Sequence, residues 1–279
     1  MTKYITAFIA TACLAGLAFA EEDETFSEAH QANRAKSEAH FAAKQKQYAG
    51  NPDFWVARGL LADRKARTVT LDSYTTGVGP NDISEFFIIS ENSGHDYESL
   101  FGTFAQSEDI CKALEFIGVP RGRAVDYDKL VFWPKGERLL GTVIVGTNAP
   151  VPLDSLMYST ETKQSLTNTG FIYIGDRRDA SGRFLGDSAG PGSVISSYNE
   201  SYTVLDVPRL AAQSEVYEKY TVSSNLVKAA DVWCTITLTP EPRPADSPKR
   251  VRDVSIEFLT NSVALDGANA GPLKDALQK

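Results

Sequence analysis

The chain is poor in the side chains that do most enzyme chemistry: three histidines and three cysteines in 279 residues. The cysteines, Cys13, Cys111 and Cys234, are too far apart for a C-x-x-C pair, which argues against a thioredoxin-type or iron–sulfur centre. No H-E-x-x-H helix is present to seat a catalytic zinc. Basic residues are in deficit, 28 against 36 acidic, for a net charge of −8. That sign argues against a general nucleic-acid role, which needs a basic footprint. Beyond the N-terminus no apolar stretch approaches the ~20 residues of a membrane span. The glycine-rich run from Gly186 to Gly192 lacks the lysine of a phosphate-binding loop and reads as a turn. No cofactor is predicted, and a divalent metal is the one candidate the residue types leave open.

The N-terminus has the pattern of an export signal. Lys3 precedes an uncharged, mostly apolar run, and Ala18-Phe19-Ala20 ends it as an A-x-A cleavage site before Glu21-Glu22-Asp23. Residues 1–20 are therefore expected to be a signal peptide and the protein to be exported, periplasmic or extracellular. A lipoprotein anchor at Cys13 is disfavoured, because Ala10-Thr11-Ala12 lacks the usual leucine. In an exported chain Cys111 and Cys234 can form a disulfide or stand as two buried thiols, and sequence does not choose between them.

Residues 21–50 are rich in Glu, Ala, Lys and Gln, and 22–48 contain neither Pro nor Gly. This predicts a polar helix, docked loosely or extending away, with 22–48 as a surface for a protein partner. Ser27-Glu28-Ala29-His30 recurs as Ser37-Glu38-Ala39-His40. His30 and His40 then stand roughly 15 Å apart on one helix, too far to share a metal ion. Residues 51–259 read as one α+β domain with a possible sub-boundary near 147–168, and 260–279 as a tail with a weak helix. Alternation predicts strands at Thr68–Asp72, Val232–Leu238 and Val251–Leu259. Glu85–Ser90 and Ser99–Phe104 read as a hairpin with an elaborate tip, and Leu130–Trp133 with Leu139–Val145 as another. Short strands are expected at Ser193–Ser197 and Ser201–Leu205. Ser107 to Ile117 is an amphipathic helix with Ser107 as N-cap and Gly118 as its stop. The fold class predicted is α+β: a mostly antiparallel sheet with one or two packed helices, preceded by an N-terminal helix.

Several segments resemble the YdjY-type domain of exported bacterial proteins. They are Glu85 through Leu100, Asp109-Ile110-Cys111-Lys112-Ala113-Leu114, Gly118-Val119-Pro120, Trp133-Pro134-Lys135-Gly136, Gly170 through Arg177, and Gly192 through Pro208. The resemblance covers residues 52–240 and implies an α+β domain of unestablished role. Members labelled electron carriers have cysteine clusters, which this chain lacks.

The densest polar segment is Ser93-Gly94-His95-Asp96-Tyr97-Glu98-Ser99. His95, Asp96 and Glu98 carry the donor types of a divalent-metal site. In extended backbone His95 faces away from the two carboxylates, so convergence requires a bend at Gly94. The competing role is a structured turn. Ser93 or Ser99 with His95 and Asp96 has the components of a catalytic triad, although adjacent His and Asp rarely achieve its geometry. Arg177 and Arg178, with Arg183, form a basic spot suited to an anion. The leading functional expectation is an exported, non-catalytic binding or assembly module. The alternative is a metal-dependent periplasmic enzyme centred on His95.

Overall fold

The computed structural model describes residues 26–167, 169–175, 177–187 and 192–242. The expected signal peptide, Cys13, the strand expected at Val251–Leu259 and the expected C-terminal tail lie outside the described residues. In chain order the elements are α1 (Glu28–Gln47), β1 (Phe54–Ala57), β2 (Leu60–Asp63), β3 (Thr68–Thr75), β4 (Phe86–Ser90), β5 (Ser99–Thr103), α2 (Ser107–Phe116), β6 (Arg138–Val145), β7 (Val151–Pro152), β8 (Met157–Ser159), β9 (Gln164–Ser165), β10 (Phe171–Tyr173), β11 (Ser193–Ser196), β12 (Leu205–Asp206), α3 (Gln213–Lys219), β13 (Tyr220–Val222) and β14 (Trp233–Pro240).

The architecture corrects the predicted α+β fold, a mostly antiparallel sheet with one or two packed helices: it is a sheet-dominated closed barrel. Eight strands run in the order β3-β14-β6-β10-β12-β11-β4-β5, and a pairing between β5 and β3 closes them into a barrel. Closure depends on the length of β3. Its first half pairs with β2, from Leu60↔Leu71 to Asp63↔Thr68. Its second half pairs on with β5, from Ser73↔Thr103 to Thr75↔Phe101. Within the closed ring each of the eight strands has a neighbour on both sides, which explains why strands as short as β10 and β12 are tolerated. β1 and β2 extend the wall beside β5, and β13-β8-β9 forms a small separate sheet.

The long staves show the alternation that a filled barrel requires. Leu139, Gly141, Val143 and Val145 of β6 are buried, as are Cys234, Ile236 and Leu238 of β14. Phe87 and Phe171 meet edge to face at 5.0 Å inside this core. Gly141 leaves room for that packing: a Cβ there would sit 3.0 Å from Leu153 and 3.4 Å from Phe171, so those side chains would have to give by a few tenths of an ångström.

Both expected hairpins are corrected. β4 and β5 are parallel neighbours, with Phe86↔Ser99 through Ser90↔Thr103. Parallel neighbours need a connection that returns along the strand. Residues 91–98 are that return, and Glu85 N–H donates to the Glu98 carbonyl at 2.8 Å where it finishes. Leu130–Trp133 does not pair with β6. It belongs to a hairpin of residues 121–136 closed by the antiparallel bridges Arg123↔Lys135 and Asp126↔Val131. β11 and β12 are likewise parallel.

No disulfide joins Cys111, on α2, to Cys234, on β14; both are buried thiols. Burial alone pushes the Cys234 thiol up to about 12, which keeps it protonated and inert. α2 begins at Ser107, and its cap comes from a distant residue: the Asp187 carboxylate accepts from Ser107 N–H at 2.5 Å and Glu108 N–H at 3.2 Å. The buried face of α2, including Ile110, Ala113 and Leu114, packs toward the barrel, and Gly118 ends the helix region at φ +82°.

α1 docks through a polar face, which differs from the loose helix expected. Ser27 caps it, accepting from His30 N–H at 3.0 Å. The buried side chains are His30, Asn33 and Ser37, one stripe along the helix. The His30 imidazole bridges Glu91 and Asp231 at 3.0 Å each, and Arg34 Nε donates to Glu91 at 2.8 Å. Asn33 donates to the Asp231 carbonyl at 2.7 Å, and Lys44 reaches Asp72 at 3.4 Å. Among the described residues no helix is long and apolar enough to cross a membrane.

Candidate functional site: a basic pocket at the end of β10

A pocket of about 380 Å³ opens between the 121–136 hairpin and the chain leaving β10. The hairpin is pressed onto the sheet at two glycines. A Cβ at Gly122 or Gly136 would collide with the Tyr173 carbonyl, so only glycine lets the two backbones meet. That approach holds the hairpin's side chains over the end of β10, where Gly175 has φ +76° and Arg177 joins the hairpin residues around the pocket.

Four cations line the pocket, Arg121, Arg123, Lys129 and Arg177, and Asp126 is the one carboxylate among the described lining residues. Asp126 accepts from Lys129 Nζ at 2.7 Å and pairs with Arg177 at 3.6 Å, and these contacts hold its carboxyl below the usual range. Arg121 pairs with Glu115 of α2 at 3.1 Å. The local excess of positive charge stands against an acidic chain, and its donors suit a phosphate or carboxylate group.

The two arginines expected at an anion site divide. Arg177 lines the pocket. Arg178 is turned to local contacts: it donates to the Gly182 carbonyl at 2.6 Å, pairs with Glu108 at 3.1 Å and lies 4.0 Å over the Phe184 ring. Arg183 pairs with Asp179 at 3.1 Å. Sequence reading missed Arg121, Arg123 and Lys129. Arg121-Gly122-Arg123 was their visible signal, but their convergence with Arg177 depends on a hairpin packing that no local pattern encodes.

The His95 segment is a structured turn. His95 Nδ1 pairs with Glu98 Oε1 at 2.5 Å, His95 N–H donates to Ser93 Oγ at 3.1 Å, and Ser99 Oγ donates to the His95 carbonyl at 2.9 Å. Asp96 instead accepts from the Tyr74 hydroxyl at 3.3 Å. The structure thus joins His95 to Glu98 and places Asp96 elsewhere. Among the described residues no group of three or more His, Cys, Asp or Glu side chains is arranged to hold a metal ion.

Beside this turn lies a carboxylate cluster that sequence reading did not isolate. Glu85 accepts from Gln213 Nε2 at 2.9 Å and from the Tyr217 hydroxyl. Burial pushes the Glu200 carboxyl up to about 7 against the pull of hydrogen bonds from Ser193 and Tyr198. Burial likewise lifts Asp206 to about 8, although Asn199 donates to it at 3.1 Å and Val207 N–H at 2.7 Å. Asp206 is thus a neutral acid at pH 7 and Glu200 one only below about 7, because a charge there has no adequate solvation. Nothing in the sequence separates these two from the other acids.

Gly186-Asp187-Ser188-Ala189-Gly190 spells G-x-S-x-G. A nucleophile elbow joins a strand to a helix. Here a 3₁₀ turn at Leu185–Asp187 covers the motif's first two residues and strand β11 comes after it, while Ser188 to Pro191 lie outside the described residues.

Comparison with known proteins finds no matching family model, no matching curated protein and no matching solved structure.

Proposed function

We propose that this chain is an exported binding module whose barrel presents a pocket for a small phosphate- or carboxylate-bearing ligand. One observation carries the reading: Arg121, Arg123, Lys129 and Arg177 converge on a single pocket in a chain of net charge −8. Cations gathered against the sign of the whole chain repel one another, and an anion relieves that repulsion. The pocket is concave and placed by rigid backbone contacts, as binding sites usually are. The YdjY-type relationship belongs to the same proposal, since the segment Gly170 through Arg177 contributes Ile174, Gly175 and Arg177 to the pocket and Trp133-Pro134-Lys135-Gly136 closes the hairpin that carries the other cations. A protein partner for residues 22–48 would meet the outer face of α1, because the inner face is taken by the barrel.

Titration with inorganic phosphate, followed by calorimetry and thermal unfolding of the full chain, tests the proposal. Phosphate should bind and raise the unfolding temperature, and Arg123→Ala with Arg177→Ala should weaken binding by tenfold or more, the usual consequence of losing charge-assisted hydrogen bonds worth about 1.5–3 kcal/mol each. Equal responses in wild type and the double variant would refute it.

A further inference from the structure

The hairpin that supplies the pocket's cations also exposes a concentrated apolar tip. Leu130 is 74% exposed, Trp133 54% and Phe132 45%. Eight large apolar or aromatic side chains are exposed among the described residues, and three of them fall within residues 130–133. Scattered exposure needs no explanation, but clustering at one hairpin tip does. Leu130 sits at the turn with φ +56°, a conformation that a bulky residue adopts only where the surrounding structure imposes it. The bridges Asp126↔Val131 and Arg123↔Lys135 impose it. Flanking the tip are Lys129, Lys135 and Arg123, all exposed, opposed by Asp128 and by Asp126, which is engaged with Lys129 and Arg177.

We infer that the 121–136 hairpin docks on an anionic phospholipid surface, with Leu130, Phe132 and Trp133 entering the headgroup–acyl boundary and the pocket cations holding lipid phosphates. Two independent features fit that partner. Aromatic and leucine side chains at a loop tip match the amphipathic boundary of a bilayer, where Trp is favoured. Cations around the tip match the negative potential of anionic headgroups. A neutral apolar partner would account for the tip but not for the cations, and a soluble anion for the cations but not for the tip. This inference rests on the anion-binding reading of the pocket and names the source of the anion.

Co-sedimentation of the full chain with vesicles tests it. Vesicles of phosphatidylglycerol mixed with phosphatidylcholine are compared with phosphatidylcholine alone, at low and high salt, beside the phosphate titration. Binding is expected to the anionic vesicles only and to weaken with salt. Each of Arg123→Ala and Lys135→Ala should lower the partition coefficient about fivefold, the worth of one cation at such a surface. Leu130→Ser should lower it about tenfold, the worth of an inserted leucine, while leaving phosphate binding unchanged, since Leu130 does not line the pocket. Phe132→Ser and Trp133→Ser, made singly, give the same readout should Leu130→Ser fail to fold. Phosphate binding without vesicle binding overturns the inference and leaves the pocket reading standing. Vesicle binding unaffected by all three serine variants overturns it as well, and so does lipid-free self-association that those variants abolish. Failure of both phosphate and vesicle binding refutes both readings.

Discussion

The docking of α1 should depend on pH through one residue, His30. The imidazole is 3% exposed and stands between two carboxylates, Glu91 and Asp231, at 3.0 Å each. Arg34 from α1 and Arg58 from the β1–β2 turn also face Glu91, and Phe26, Tyr74 and Phe104 surround the ring. Burial, the largest influence, acts to lower the His30 pKa, but the hydrogen bonds and charges of Glu91 and Asp231 outweigh it and raise the value above the ordinary 6.5. Glu91 answers in the opposite direction: burial acts to raise it, and His30 and Arg34 outweigh that and lower it below the ordinary 4.5. A raised imidazole stabilises the folded state fully below 6.5 and ceases to do so as pH rises through the folded value. A lowered carboxyl stabilises fully above 4.5 and ceases to do so as pH falls through its folded value. Docking is therefore strongest between these limits and weakens toward alkaline pH. Each unit by which His30 is raised contributes about 1.4 kcal/mol. His30→Ala leaves Glu91 buried with one partner fewer, which costs about 1–3 kcal/mol. Hydrogen exchange of the α1 amides, measured from pH 5 to pH 9, reads this directly. Protection should fall as pH rises above 6.5 in wild type, and His30→Ala should remove that dependence. Because Glu200 and Asp206 also titrate in this range, the difference between wild type and variant is the quantity that decides. A difference that does not vary with pH would refute the assignment of His30 as the bridging cation.

Two further outcomes follow from the buried carboxyls. Glu200, lifted from 4.5 to about 7, destabilises the fold progressively as pH rises between those values, to the extent of about 3 kcal/mol once fully ionised. Glu200→Gln should therefore stabilise the protein at pH 8 and not at pH 4, in denaturant titrations at the two values; equal effects at both would show that Glu200 is not held as a neutral acid. Asp187→Ala removes the cap of α2 from outside the helix and should cost about 0.5–2 kcal/mol in the same assay. Loss of no stability in that variant would mean that water serves the α2 N-terminus equally well.

The elements carried by alternating apolar residues were legible: β3, β6 and β14 follow the period-two pattern, and α2 the helical one. What was not legible is how they close. The parallel pairing of β4 with β5 turns on a return segment whose polar composition looks like any hairpin tip. The β5–β3 pairing depends on a strand long enough to serve two neighbours on one edge. The apolar content of α1 is mostly alanine, which reads as a loose helix; its docking stripe, His30, Asn33 and Ser37, is polar and held by charges far away in sequence, and hydrophobic periodicity is blind to that. The candidate site shows the same division. Arg177 could be singled out locally, whereas Arg121, Arg123 and Lys129 acquire meaning only when Gly122 and Gly136 bring the hairpin against Tyr173. The polar density around His95 was a true signal of structure, and its place in the return segment explains it.

The position of β14 has a consequence for the order of assembly. It is the stave between β3 and β6, pairing Leu238↔Val69 on one side and Thr239↔Leu140 on the other. Until residues 233–240 emerge, the ring has a missing stave and its interior stays open, however well β3 to β12 have formed. Such a wall locks late, after most of the chain has been made, so the barrel is slow to form by topology alone.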